Sequence, residues 1–166
     1  DNNFDSEAGK AFAEALKTNK TLLELSLEEN ELDSAAGIAF ATTLMKNTSL
    51  QELNLGTNNL DSAAGIAFAT ALTSNKTLLK LSLENNELGS EAGKALAGAL
   101  ITNTALQELL LGNTDLDPES GNALADALRT NTALQRLDLE ENNFDEQTKQ
   151  AIRDAWGPRP QDQLLL

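Results

Sequence analysis

The chain has no cysteine and no histidine, and only 12 basic residues against 26 acidic ones, for a net charge of −14. Without cysteine there is no disulfide, no thiol nucleophile and no zinc site of Cys/His type. Without histidine, any catalysis falls to carboxylates, Ser, Thr and Lys. The shortage of Lys and Arg argues against nucleic acid, whose phosphates need them, and against anionic membrane surfaces. A basic protein partner fits the charge better. The apolar runs are far shorter than the roughly 20 residues of a membrane span, and no signal-peptide pattern opens the chain. The lack of cysteine favours an intracellular, cytoplasmic setting. The chain starts at Asp1 rather than Met, as a processed or partial chain does.

What is present is a repeat. The 166 residues are 40% hydrophobic, enough for one domain with a sizeable core rather than a disordered acidic tail. "TLLELSLEENEL" (21–32) returns as "TSLQELNLGTNNL" (48–60), "TLLKLSLENNEL" (77–88), "TALQELLLGNTDL" (104–116) and "TALQRLDLEENNF" (132–144). The first leucines are Leu22, Leu50, Leu78, Leu106 and Leu134, so the period is 28 residues. A fixed period of this size means a solenoid. "LDSAAGIAFAT" occurs twice unchanged, at 32–42 and 60–70. Asn2 and Phe4 match Asn30 and Leu32, so the chain enters in the tail of a further copy.

Each copy joins two periods. Leu22, Leu25 and Leu27 end in strand-like alternation, Asn30 and Leu32 mark a turn, and Gly37, Phe40 and Leu44 recur at helical spacing. Asp33, Asp61 and Asp117 stand where N-caps are expected, the last followed by Pro118 at the first helical position. Asn19, Asn47, Asn75, Asn103 and Asn131 close the helices, where tolerance of left-handed geometry is expected. Five parallel strands follow, at about 22–28, 50–56, 78–84, 106–112 and 134–140, each trailed by a helix, with strands on one face and helices on the other.

"LQELNLGTNNL" resembles the leucine-rich repeat pattern L-x-x-L-x-L-x-x-N-x-L. The 28-residue period and full helix are similar to the ribonuclease-inhibitor-like subfamily. The resemblance runs from Asp1 to about Trp156. It implies an α/β horseshoe with parallel strands on the concave face and helices on the convex face, and a protein-binding role. A GTPase regulator resembling the Ran GTPase-activating proteins is the alternative. That activity implies an arginine in an early turn, and "ENELDS", "NNLDSA" and "NNELGS" hold none. Thr114 stands where the turn asparagine belongs, so an altered turn is expected there, with Asn113 as a compensating neighbour.

Several recurring residues have structural readings. Asn30, Asn58, Asn86 and Asn142 are expected to satisfy backbone groups of the turns. Gly9, Gly37, Gly65, Gly93 and Gly121 imply close approach of helix and strand, since glycine costs a helix about 1 kcal/mol against alanine. No phosphate-binding glycine motif is present. "DLDPESG" lacks the spacing and terminal glutamate of an EF-hand loop. No catalytic, cofactor or metal residue is assigned, and no cofactor is expected.

The candidate site is the outward side of the strands. If Leu25 and Leu27 face the core, Glu24, Ser26 and Glu28 face out. Stacking builds columns: Glu24, Glu52, Lys80, Glu108, Arg136; then Ser26, Asn54, Ser82, Leu110, Asp138; then Glu28, Gly56, Glu84, Gly112, Glu140; and beyond the strands Glu29, Thr57, Asn85, Asn113, Glu141. These twenty positions hold nine acidic and two basic residues. The glycines of the third column space its carboxylates apart. Leu110 is an apolar side chain expected to project from this face as an anchor. Two readings stand: a face for a basic protein partner, or the polar surface any acidic solenoid shows. Ile38, Ile66, Met45 and Ile101 form a second, apolar stripe on the helices, either a contact patch or scattered surface.

Lys149 replaces the helix glycine, Trp156 the recurrent leucine, and "GPRP" stops the last helix. Residues 1–157 are thus expected to form the repeat domain and 158–166 a cap that lays Leu164 to Leu166 along the last repeat. The N-terminal end carries no such cap and is a candidate for pairing with another copy.

Overall fold

Five leucine positions per repeat turn inward and set the architecture. In the second repeat Leu50, Leu53, Leu55 and Leu60 are buried, joined by Phe68 and Leu72 from the following helix. Each such side chain contributes about 1.5–3 kcal/mol through removal from water. The computed structural model describes residues 3–166; the expected role of Asn2 lies outside the described residues.

Six helices and six strands alternate among the described residues. The helices are α1 (Ser6–Thr18), α2 (Ser34–Leu44), α3 (Ser62–Ser74), α4 (Gly89–Thr102), α5 (Pro118–Leu128) and α6 (Glu146–Trp156). The strands are β1 (Glu24–Ser26), β2 (Glu52–Asn54), β3 (Lys80–Ser82), β4 (Glu108–Leu110), β5 (Arg136–Asp138) and β6 (Leu164–Leu165). They form one parallel sheet in chain order, and from β1 to β5 the register steps by one repeat: Glu24 faces Glu52, then Lys80, Glu108 and Arg136. Each helix packs beside the helices before and after it, and the chain repeats strand, turn, helix and return.

Strands β1 to β5 are three residues long, shorter than the expected seven. Leu50, Leu78, Leu106 and Leu134 already turn into the core ahead of their strands, whereas Leu22 stays exposed, and after each strand the chain bends into the asparagine turn. There Asn58 donates to the carbonyls of Leu27 (3.0 Å), Leu55 (3.1 Å) and Gly56 (3.1 Å), and accepts from the Leu32 amide at 3.0 Å. Asn86 repeats this pattern one step on. The residue ahead of each turn asparagine takes the left-handed conformation, as Glu29 (φ 56) and Thr57 (φ 53) do.

The asparagines that close the helices do not. Asn75 has φ −70 and ψ 131, an extended backbone. Their value lies in the side chain. Asn47 donates to the carbonyls of Leu16 (2.7 Å) and Asn19 (3.2 Å) in the preceding repeat and accepts from the amides of Ser49 and Leu50 in its own. Asn75, Asn103 and Asn131 do the same, so one amide cross-links each pair of repeats.

The helix glycines correct a second expectation. A Cβ on Gly65 would lie 2.5 Å from the Ala92 methyl, and one on Gly37 would lie 2.8 Å from that of Ala64. The close approach is therefore chiefly helix to next helix, with the turn leucine as a second neighbour. Asp33, Asp61 and Asp117 cap their helices, and Asp5 and Asp145 do likewise. Helix α4 lacks such a cap, because Gly89 (φ +70) replaces the aspartate.

At the C-terminal end, Trp156 is fully buried and β6 extends the sheet as a sixth parallel strand beyond the five expected, with Leu164 opposite Leu137.

Candidate functional site

The sheet's outward side is concave, and curvature decides which of its residues reach solvent. Glu24, Ser26, Glu28 and Glu140 are exposed. Glu52, Asn54, Lys80, Glu84, Glu108 and Arg136 are half-buried. Ser82, Leu110 and Asp138 are buried, at 1%, 7% and 6% exposure. Leu110 is thus not a projecting anchor. It sits in the middle column, between Ser82 and Asp138 of the flanking strands, where neighbours on both sides cover it. Alternation gave the correct face and the wrong exposure.

The middle column also works locally. Asn54 accepts from the Gly56 amide at 2.9 Å and Asp138 from the Glu140 amide at 3.1 Å, which folds each side chain back over the end of its strand. The glycines of the third column make room for this. A Cβ on Gly112 would meet Asp138 Oδ1 at 3.3 Å and Glu84 Oε1 at 3.5 Å; one on Gly56 would meet Asn54 Oδ1 at 3.2 Å. They do more than space charges: neighbouring polar side chains lie across them.

Around Gly112 this leaves an open depression of about 180 Å³, lined by Glu84, Asn85, Asn113, Asp138, Glu140 and Glu141. Its charged lining is entirely acidic. Burial pushes the Glu84 carboxyl above the usual range, against the Ser82 hydroxyl, which donates to it at 3.0 Å; the charges of Asp138 and Glu28 push it up further. Basic residues are confined to the first column, where Lys80 reaches Glu108 at 3.6 Å. Asn54 donates to Glu28 at 2.9 Å, which steadies one carboxylate at the N-terminal end of the face.

Asn85, Asn113 and Glu141, from the column just beyond the strands, also line the depression. Asn113 donates to Asn85 at 3.0 Å, and Asn85 to Thr57 at 3.3 Å, giving a side-chain ladder along the rim. Their common 28-residue spacing is the signal that marks them. Among the described residues, no group of three or more Asp or Glu is placed to hold a metal ion. On the opposite face Ile38, Met45, Ile66 and Ile101 are exposed by 39%, 49%, 42% and 58%. Among the described residues, no helix is long and apolar enough to cross a membrane.

Three stretches, 18–41, 46–69 and 74–97, match the sequence model of the leucine-rich repeat family. The fold is similar to that of leiomodin-1 actin-binding site 2, with a TM-score of 0.77 and 22% identity over 86% of this chain and 84% of that one. It is also similar to the tropomodulin C-terminal domain of Caenorhabditis elegans, with a TM-score of 0.75 and 13% identity over 92% of this chain and 91% of that one. No curated protein sequence matches. With three matched repeats, a 28-residue register that holds from β1 to β5 and one open parallel sheet backed by helices, the chain is a leucine-rich repeat protein.

Proposed function

We propose that the chain is a non-catalytic module that binds a basic segment of a protein partner on its concave face. The carrying observation is the acidic depression over Gly112, where Glu84, Asp138, Glu140 and Glu141 converge without a basic residue in the lining. The leiomodin-1 domain of similar fold is described as an actin-binding site, which supports protein binding as the use of this architecture and makes actin one bait to try. The 28-residue step with a full helix supports the ribonuclease-inhibitor-like subfamily. Nothing in the early turns favours a GTPase regulator.

The test is affinity capture from the native source, followed by association kinetics with the protein captured. Charge should speed the encounter more than it deepens affinity. Association therefore slows as salt rises, since screening acts over about 8 Å at physiological ionic strength. Replacing Glu28, Glu84 and Glu140 together by Gln should slow it further while the chain stays folded. If that triple variant associates at the wild-type rate while Ile38→Lys or Ile66→Lys abolishes binding, the helical face is the interface and the concave reading fails.

A further inference from the structure

Three hydrogen bonds recur along the turn edge where one repeat meets the next. Between the first and second repeats the Leu32 amide donates to Asn58 at 3.0 Å, Asn58 donates to the Leu27 carbonyl at 3.0 Å, and the Asn59 amide donates to the Leu32 carbonyl at 2.9 Å. The second and third repeats make the same three, through Leu60, Asn86 and Glu87. So do the fourth and fifth, through Leu116, Asn142 and Asn143. Among the described residues, the third and fourth repeats make none of them. Thr114 holds the asparagine position there, and its hydroxyl turns back to Leu111 of its own repeat at 2.7 Å. The junction is bridged instead by the Gly89 amide, which donates to the Thr114 carbonyl at 3.0 Å, and by the Ser90 hydroxyl, which donates to Asp117 at 2.6 Å. Both turns bend further to do so: Gly89 (φ +70) and Asp115 (φ 58) join Asn85 and Asn113 in the left-handed region.

The exchange is not an even one. Leu88 is fully buried, and its amide has no partner among the described residues. A buried N–H without an acceptor is destabilising, and it finds water only when the joint opens. This junction therefore loses less by opening than its neighbours do. Its other contacts hold. On the return edge Asn131 donates to the carbonyls of Leu100 (2.7 Å) and Asn103 (3.0 Å). On the helix side α4 and α5 are so close that a Cβ on Gly93 would lie 2.8 Å from that of Ser120. Opening thus pivots on the helices and the return edge and is widest at the turn edge. The acidic depression lies there, with Glu84 and Asn85 on the third repeat and the rest of its lining on the fourth and fifth. We infer that the turn edge between the third and fourth repeats is a hinge, on which the acidic depression widens and narrows. A basic segment seated in the depression would span the hinge and hold it shut. That consequence rests on the function proposed above; the hinge does not.

Amide hydrogen exchange, followed residue by residue by NMR on the full chain, tests the hinge without any partner, so the hinge and the binding reading can fail separately. The Asn85 amide crosses this junction to the Gly112 carbonyl at 2.9 Å. Thr57 crosses the junction before it, to Glu84, and Asn113 the junction after it, to Glu140, both at 2.8 Å. After correction for intrinsic rates, Asn85 and Gly89 are expected to exchange about tenfold faster than Thr57 and Asn113, the shift in opening that one missing hydrogen bond makes. Thr114→Asn should slow Asn85 to the rate of Thr57, slow Leu88 to that of Leu60, and leave Thr57 unchanged. If Asn85 exchanges as slowly as Thr57 and Asn113, the hinge is overturned, even where Leu88 is fast, because an orphan amide in a rigid joint would exchange alone. A fast Asn85 that Thr114→Asn does not slow overturns it as well.

Discussion

Arg159 donates to the backbone carbonyl of Asn131, as Asn131 itself donates to the carbonyl of Asn103 at 3.0 Å. The two donors are 28 residues apart. A guanidinium thus occupies the place of a fifth junction asparagine, after Asn47, Asn75, Asn103 and Asn131. The same nitrogen reaches the Leu128 carbonyl, the other donates to the Trp156 carbonyl at 2.7 Å, and the guanidinium lies 4.9 Å from the centre of the Trp156 ring.

Arg159→Ala should therefore unseal the last repeat. Losing charge-assisted bonds to several carbonyls is expected to cost about 2 kcal/mol, or a fall of roughly 5 °C in Tm for a chain of this size. Arg159→Lys should recover little, since an ammonium does not span the carbonyls that the planar fork reaches. Thermal melts of the three proteins check both statements.

Thr114→Asn should stabilise. Thr114 is fully buried and its hydroxyl donates to the Leu111 carbonyl at 2.7 Å, but it offers no acceptor to Leu88 of the preceding repeat, as Asn86 does to Leu60. Asn113 does not compensate: it is exposed and bonds Asn85. Restoring the amide is expected to add about 1 kcal/mol, read as a higher denaturant midpoint with an unchanged slope.

Two glycine substitutions should have opposite signs. Gly65→Ala drives a methyl against Ala92 and is expected to cost about 1–3 kcal/mol by overpacking. Gly98→Ala, on the solvent side of α4 with nothing within 4 Å of its Cβ, should gain roughly 0.5–1 kcal/mol from helix propensity alone. Chemical denaturation of both variants decides the matter.

Stability should respond to acid in two steps. The Ser6 hydroxyl lowers the Asp33 carboxyl, the Ser34 hydroxyl lowers Asp61, and the Ser120 amide lowers Asp117. A carboxyl lowered by folding contributes stability that is complete above its ordinary value, about pH 4, and lost as pH falls through the lowered one. Glu84 has the opposite sign: burial raises it, so its ionised form destabilises and the fold gains as pH falls through the raised value. Melting curves should show Tm rising slightly as neutral solution is acidified, then dropping below about pH 4. Glu84→Gln should remove the rise and leave the drop.

The leucine spacing made the solenoid, its register and the inward face legible, because period and burial are the same fact in a parallel stack. The junction asparagines were legible as a position but not as a device: sequence spacing marks a helix end, while the bond from Asn47 to Leu16 joins residues 31 apart in the chain. Leu110 was placed on the correct side of the sheet, yet alternation carries no information about how tightly neighbouring columns crowd a concave surface. Arg159 escaped because a different residue type performs the asparagine's task; counting 28 from Asn131 finds it.

The unchanged segments 32–42 and 60–70 place Gly37 against Ala64 with the same local sequence that surrounds Gly65. Removing residues 33–60 would join Leu32 to Asp61 and present α1 with residues 61–70, identical to the 33–42 it meets now, while in the sheet Glu24 would face Lys80 in place of Glu52. Helix α1 would meet Ala64 where it now meets Ala36. The length of this molecule is consequently a heritable variable that can change in whole units, by deletion or duplication of a single repeat, without the folding problem having to be solved again.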